Sequence, residues 1–312
     1  MSFRLYIFYC SLCGAWAALL GWALGRWLLL LRHGEPVWRL ETETGVKAMC
    51  LGLLVAWTLG VVDAVWNFSL RQIGQLLQRV FVVVGVGAVG GFAGGYLGQV
   101  LYGPTQQAIY LVLGWTVTGL LIGAAIGAYD YLSCLLLGRD RRGARRKLFN
   151  GVLGGTAGGV LGGLLYVFLS DAWADLFRGK GTDLWSPSAV GFVVLGACIG
   201  LLIGLAQVIL KEAWVKVEAG FRRGRELILS KAETTIGRAE ACDIGLFGDP
   251  AVERMHARIV QQGGRYLLVD ADTSGGTYLN DQRVFQPSPL QSGDAIRLGS
   301  CVLRFGERRK GK

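Results

Sequence analysis

Few residues in this 312-residue chain are equipped for chemistry: two histidines, His33 and His256, and seven cysteines at positions 10, 13, 50, 134, 198, 242 and 301. Neither histidine stands in a Ser-His-Asp, HExxH or phosphate-loop pattern, so a general base would have no nucleophile or metal at a catalytic spacing. Cys10 and Cys13 form one CxxC with no second pair. An odd, scattered set in apolar surroundings reads as small packing residues, not as a disulfide framework or a metal site. The expectation is a non-enzyme with no cofactor and no metal. The charged residues left to explain are Asp63, Asp130 and Lys211 at the ends of apolar stretches, and Arg238 and Arg254 in a more polar C-terminal part.

The scaffold that must position them is unusually apolar, with 52% hydrophobic and only 17% charged residues, a composition that one soluble globule does not show. Residues 80 to 129 contain no charge at all, room for two spans of roughly 20 residues and a tight turn at 103 to 107. With the other uncharged runs this predicts six transmembrane helices, at about 6–30, 47–67, 80–102, 108–131, 148–169 and 188–210, in a membrane domain over 1–215. The first span lacks a small-x-small cleavage site and reads as a retained anchor. The run "RDRRGARRK" at 139–147 and "RRGR" at 222–225 should face the cytoplasm, which places both termini on the cytoplasmic side of a bacterial-type inner membrane. Arg32, Arg39 and Lys47 then fall outside, against the charge bias. Trp173 and Trp185 would bracket an external loop as interface anchors.

The apolar part repeats. Segments 14–28, 87–101 and 151–165 align without gaps, matching glycines 14/87/151, 21/94/158 and 25/98/162 and leucines 24/97/161 and 28/101/165. Segments from 52, 119 and 200 align in the same way, so the membrane part is one helical hairpin repeated three times. Residues four apart share a helix face, and stripes such as Gly87/Gly91/Gly95, Gly90/Gly94/Gly98, Gly151/Gly155/Gly159/Gly163 and Gly154/Gly158/Gly162 let backbones approach closely in lipid. This predicts a glycine-zipper bundle, within one chain or in a homo-oligomer. Asp63 and Asp130 share a repeat column with Lys211. At the last turn of each span they read as interfacial anchors, with an ion path as the alternative.

After a basic linker at 216–225 the pattern changes to short β-rich runs separated by Gly, Asp and Asn, as an antiparallel sandwich would give. Eight cations against ten acids over 226–306 exclude a nucleic-acid patch. In this part Gly237-Arg238 is followed by Glu253-Arg254-Met255-His256, then Thr273-Ser274-Gly275-Gly276-Thr277, then Asn280. Motifs in this order and spacing resemble the forkhead-associated (FHA) domain, here over 226–308 with a basic tail at 309–312. The resemblance covers little more than a quarter of the chain.

The resemblance implies an all-β sandwich that binds phosphothreonine through Arg238 and Arg254, with Thr273, Ser274 and Thr277 in the binding loop and Gly237, His256, Gly276 and Asn280 fixing loop geometry. Two positions depart from the pattern: Glu253 stands where the family has a phosphate-binding serine, and Gly275 where it has a backbone-binding asparagine. Losing the serine removes a charge-assisted hydrogen bond, and a carboxylate beside a phosphate repels it, together roughly three or four decades of affinity. Glu253 could instead pair with Arg238 as an internal phosphate mimic. The expected function is a membrane-anchored cytoplasmic adaptor, in Ser/Thr-kinase-linked signalling, whose partner is a phosphothreonine protein or an unphosphorylated one. The alternative is a channel, transporter or membrane-organising oligomer regulated by its FHA domain.

Overall fold

The computed structural model describes residues 3–31, 39–67, 73–136, 142–176, 187–220, 223–229, 233–240, 242–262 and 265–308. The chain divides into two compact units, one of helices and one built around residues 210–312. The helices are α1 (Phe3–Leu30), α2 (Leu40–Asn67), α3 (Ile73–Thr105), α4 (Ala108–Leu136), α5 (Arg142–Leu176) and α6 (Pro187–Ile209). All six are long and apolar enough to cross a membrane. Several begin earlier than the apolar runs do. Glu41 and Glu43 occupy the first turn of α2, where carboxylates favour the positive end of the helix dipole, and α5 takes up part of the basic run. Trp185 lies outside the described residues.

The paired stripes of glycine have separate partners. On α3, a methyl group built on Gly87 or Gly91 would overlap Ala56 or the Ala48 carbonyl of α2, whereas one on Gly90 or Gly94 would meet Leu121 or Thr118 of α4. On α5, Gly155 and Gly151 abut the carbonyls of Gly119 and Gly123 on α4. On its other face, a methyl on Gly154 would lie 2.7 Å from the Ile203 Cα of α6, and one on Gly158 2.6 Å from the Ile199 Cα. On α1, Gly14 abuts Gly196 of α6, and Gly21 would place a methyl 2.6 Å from the Leu51 Cα of α2. Each odd helix therefore seats one stripe on the helix before it and one on the helix after it. Because the helix before α1 is α6, the bundle closes into a six-membered ring with internal threefold pseudosymmetry.

Inside the ring, the same columns are buried in every repeat: Leu51, Thr118 and Ile199, then Val55, Ile122 and Ile203, then Leu59, Ile126 and Gln207. Trp115, Tyr166 and Phe192 pack ring on ring, with centroids 5.2–5.8 Å apart. Outside, Phe8, Trp16, Leu20, Phe81, Val89 and Phe168 are exposed, an apolar exterior that would aggregate in water. Asp63, at the end of its candidate span, and Asp130 share one cation. Lys147 lies 2.6 Å from Asp63 and 3.2 Å from Asp130, and Asp63 is only 2% exposed. Lys211, their column-mate, instead lies 4.3 Å from the Trp214 ring centroid.

The second unit is a sandwich of two sheets. The strands are β1 (Ala213–Ala219), β2 (Glu226–Ile228), β3 (Glu233–Gly237), β4 (Ile244–Gly245), β5 (Ala257–Gln262), β6 (Arg265–Asp270), β7 (Thr277–Leu279), β8 (Gln282–Arg283), β9 (Ser288–Pro289), β10 (Ala295–Leu298) and β11 (Cys301–Glu307). One sheet runs β2-β1-β11-β10-β7-β8 and the other β4-β3-β5-β6-β9. The basic linker expected at 216–225 is in part a strand, because Ala213, Val215 and Val217 point inward and are fully buried while Lys216 is exposed, the two-residue period of a pleated strand. The β domain thus begins at 213 and not at 226. Ile236, Ile259, Leu268, Ile296, Leu303 and Phe305 join them in one core.

Candidate functional site

The connections β3–β4, β4–β5 and β6–β7 meet at one end of the sandwich, and backbone bonds hold them there. The Arg238 N–H donates to the Glu253 carbonyl at 2.7 Å and the Ala239 N–H to the Arg254 carbonyl at 2.9 Å. That approach requires Gly237, since a methyl there would overlap the Arg254 carbonyl.

His256 is the internal support. It is fully buried; its Nδ1 accepts from the Glu253 N–H at 3.0 Å and its Nε2 lies 3.2 Å from the Gly276 carbonyl. A ring nitrogen that accepts from a backbone N–H carries no proton, so the proton sits on Nε2 and is donated to Gly276. One neutral imidazole thereby joins the 253 loop to the 276 loop. Gly276 has φ +67°, and a methyl there would press to 2.6 Å from the Arg283 Nε.

Asp270, which the sequence did not single out, anchors the β6–β7 loop. Its carboxylate accepts from the Thr273 N–H and hydroxyl, both at 3.0 Å, and from the Thr277 hydroxyl. Burial alone would raise this carboxyl, yet the hydrogen bonds from Thr277 and Thr273 hold it below the usual carboxylate range. An Asp three residues before a Thr at a strand end was the available signal. Thr273 and Thr277 are buried with their hydroxyls turned to Asp270, so they shape the loop from inside. Asn280 and Asp281, at φ +49° and +66°, make the two-residue turn between β7 and β8. Asn280 also accepts from the Ala295 N–H at 2.9 Å and donates to Asp294 at 2.8 Å.

Ser274, Arg238 and Arg254 remain on the surface. Glu253 does not pair with Arg238: its Oε1 accepts from the Ser274 N–H at 2.8 Å and from the Ser274 hydroxyl at 3.0 Å, which holds its carboxyl below the usual range. Among the described residues, neither the Arg238 nor the Arg254 guanidinium has an ion-pair or hydrogen-bond partner. Gly275 is not demanded by the backbone, since a methyl there would come no closer than 3.3 Å to the Ala251 carbonyl. The arrangement is two exposed, uncommitted arginines on loops whose backbones are bonded together, with both hydrogen-bond donors of Ser274 already occupied by an internal carboxylate.

Comparison with known proteins gives this geometry a family. The FHA domain model matches residues 234–299. The chain is 29% identical over 143 residues to the FHA domain-containing protein FhaB of Mycobacterium tuberculosis, covering 46% of this chain and 89% of that protein. It is 31% identical over 123 residues to the glycogen accumulation regulator GarA of Mycolicibacterium smegmatis, covering 39% and 73%. It is also 31% identical over 132 residues to the oxoglutarate dehydrogenase inhibitor of Corynebacterium efficiens, covering 42% and 82%. The helical region has no recognised family. By its β domain, the chain belongs to the FHA-domain proteins.

Proposed function

We propose that this protein is a membrane-anchored adaptor: six helices hold it in a bacterial inner membrane, and its FHA domain binds a protein partner on the cytoplasmic face. The observation that carries the reading is the pair of exposed, uncommitted guanidiniums of Arg238 and Arg254 on a loop face braced by His256 and Asp270. Two cations preset on a rigid frame suit an anionic segment of a partner. The regulator and inhibitor names of the relatives support a regulatory binding role. Glu253 tunes this site away from ordinary phosphothreonine reading, because it occupies both donors of Ser274 and adds a like charge. The domain therefore binds phosphothreonine weakly and is available to unphosphorylated acidic partners.

The test is a titration of the full chain in lipid nanodiscs with a degenerate phosphothreonine peptide library and its unphosphorylated twin, repeated with Glu253→Ser and Arg238→Ala. Tight phosphopeptide binding by the parent, lost in Arg238→Ala, would show an ordinary phosphothreonine receptor. Equal weak binding by the parent and Glu253→Ser would remove the role assigned to the acid.

The buried charges of the helical unit favour a second reading, a conducting bundle. The uncharged columns that fill the ring weigh against it.

A further inference from the structure

Lys147 stands alone in its column of the repeat: continuing the ungapped alignment, the equivalent residues of α1 and α3 are Cys10 and Val83. Its ammonium reaches Asp63 on α2 at 2.6 Å and Asp130 on α4 at 3.2 Å. Its carbonyl accepts from Gln207 Nε2 on α6 at 3.2 Å. One residue of α5 thus touches the even-numbered helix of every hairpin. The side chains of Lys147 and Asp63 are 9% and 3% exposed and that of Asp130 is 25%.

We infer that Lys147 is the lock that closes the ring. Local contacts fold each hairpin, but nothing local tells the first hairpin to meet the third. The Lys147–Asp63 pair does so across 84 residues of sequence, and Asp130 brings in the second hairpin. In a low-dielectric interior an ammonium and carboxylates that miss one another are heavily penalised, so the pair selects the closed arrangement over open ones. The role is closure and not ion passage. Among the described residues Asp63 and Lys147 are the only buried charged side chains of the helical unit, and the columns beyond them run through Leu59, Ile126 and the neutral Gln207 to Val55, Ile122 and Ile203. No charge continues inward.

The full chain in detergent, compared by thermal unfolding, decides this. Lys147→Met should lower Tm by roughly 10 °C, because it strips Asp63 of its ammonium. The triple variant Asp63→Asn/Asp130→Asn/Lys147→Met should return to within a few degrees of the parent, since removing all the charges together removes the penalty. A Lys147→Met chain as stable as the parent overturns the inference. So does a triple variant as unstable as Lys147→Met, which would assign the effect to packing of the lysine stem. If Lys147→Met yields no folded protein, recovery or failure of the triple variant decides alone. Proteoliposomes holding an imposed proton or sodium gradient supply the other arm. Parent and triple variant should retain it equally, and a leak present in the parent but absent in the triple variant would replace the lock with an ion path.

Discussion

At the scale of residues, the proposed function makes Glu253 the side chain that sets what the domain binds. Its carboxylate is exposed and hydrogen-bonded to Ser274, so solvent screens much of the repulsion expected for a buried acid. We therefore expect Glu253→Ser to strengthen phosphothreonine-peptide binding by about a hundredfold, less than the full loss that the sequence implies. Isothermal titration of the full chain measures this, and Arg238→Ala in the same background should erase the gain. Asp270 supports a second expectation. Its folded pKa is depressed, so it contributes stability that is present above its unfolded value and is lost as pH falls through the folded one. Thr277→Val removes one of its donors and should move the onset of acid unfolding to higher pH, which circular dichroism across pH 2 to 5 would follow. Arg238, Arg254 and His256 were legible because their motifs recur in a fixed order. Asp270 was not, because its importance lies in three hydrogen bonds that only the folded loop assembles.

At the scale of elements, spacing showed that the glycines face helices, but not which ones. Two stripes offset by three residues could have served one wide seam or two narrow ones, and only the folded ring distinguishes them. Gly155→Ala should be costly, about 1–3 kcal/mol, since its methyl would overlap the Gly119 carbonyl. Gly85→Ala, where a methyl meets nothing within 4 Å, should be neutral or stabilising by up to ~1 kcal/mol. Thermal unfolding of the two variants in detergent compares them directly. Strand β1 was hidden for a different reason: its alternation is short and merges with the basic run that follows. It lies between β2 and β11, and burying Val215 and Val217 contributes about 1.5–3 kcal/mol each, a large part of a small domain's stability. A fragment beginning at 220 should therefore be unfolded, whereas one beginning at 211 should give the dispersed amide spectrum of a sandwich.

At the scale of the whole molecule, the threefold repeat was visible in the sequence while the ring was not, because closure depends on α1 meeting α6 and no local pattern encodes that contact. The fold explains where the small-residue stripes go. Among the described residues, nearly every glycine of the bundle lies against a neighbour in the same chain, which leaves bulky side chains on the outside and no ready small-residue seam there for a second copy. Single-molecule photobleaching of labelled chains in nanodiscs should accordingly show one step per particle. Three separate hairpins assembling into the same ring would present three readers, and a ligand with several matching sites could hold on through avidity. Fusing the hairpins into one polypeptide fixes the valency at one reader per ring. On the proposed membrane-adaptor reading, a multisite partner would gather several rings by lateral diffusion, and the density of the protein in its membrane would become the variable that tunes the strength of its engagement.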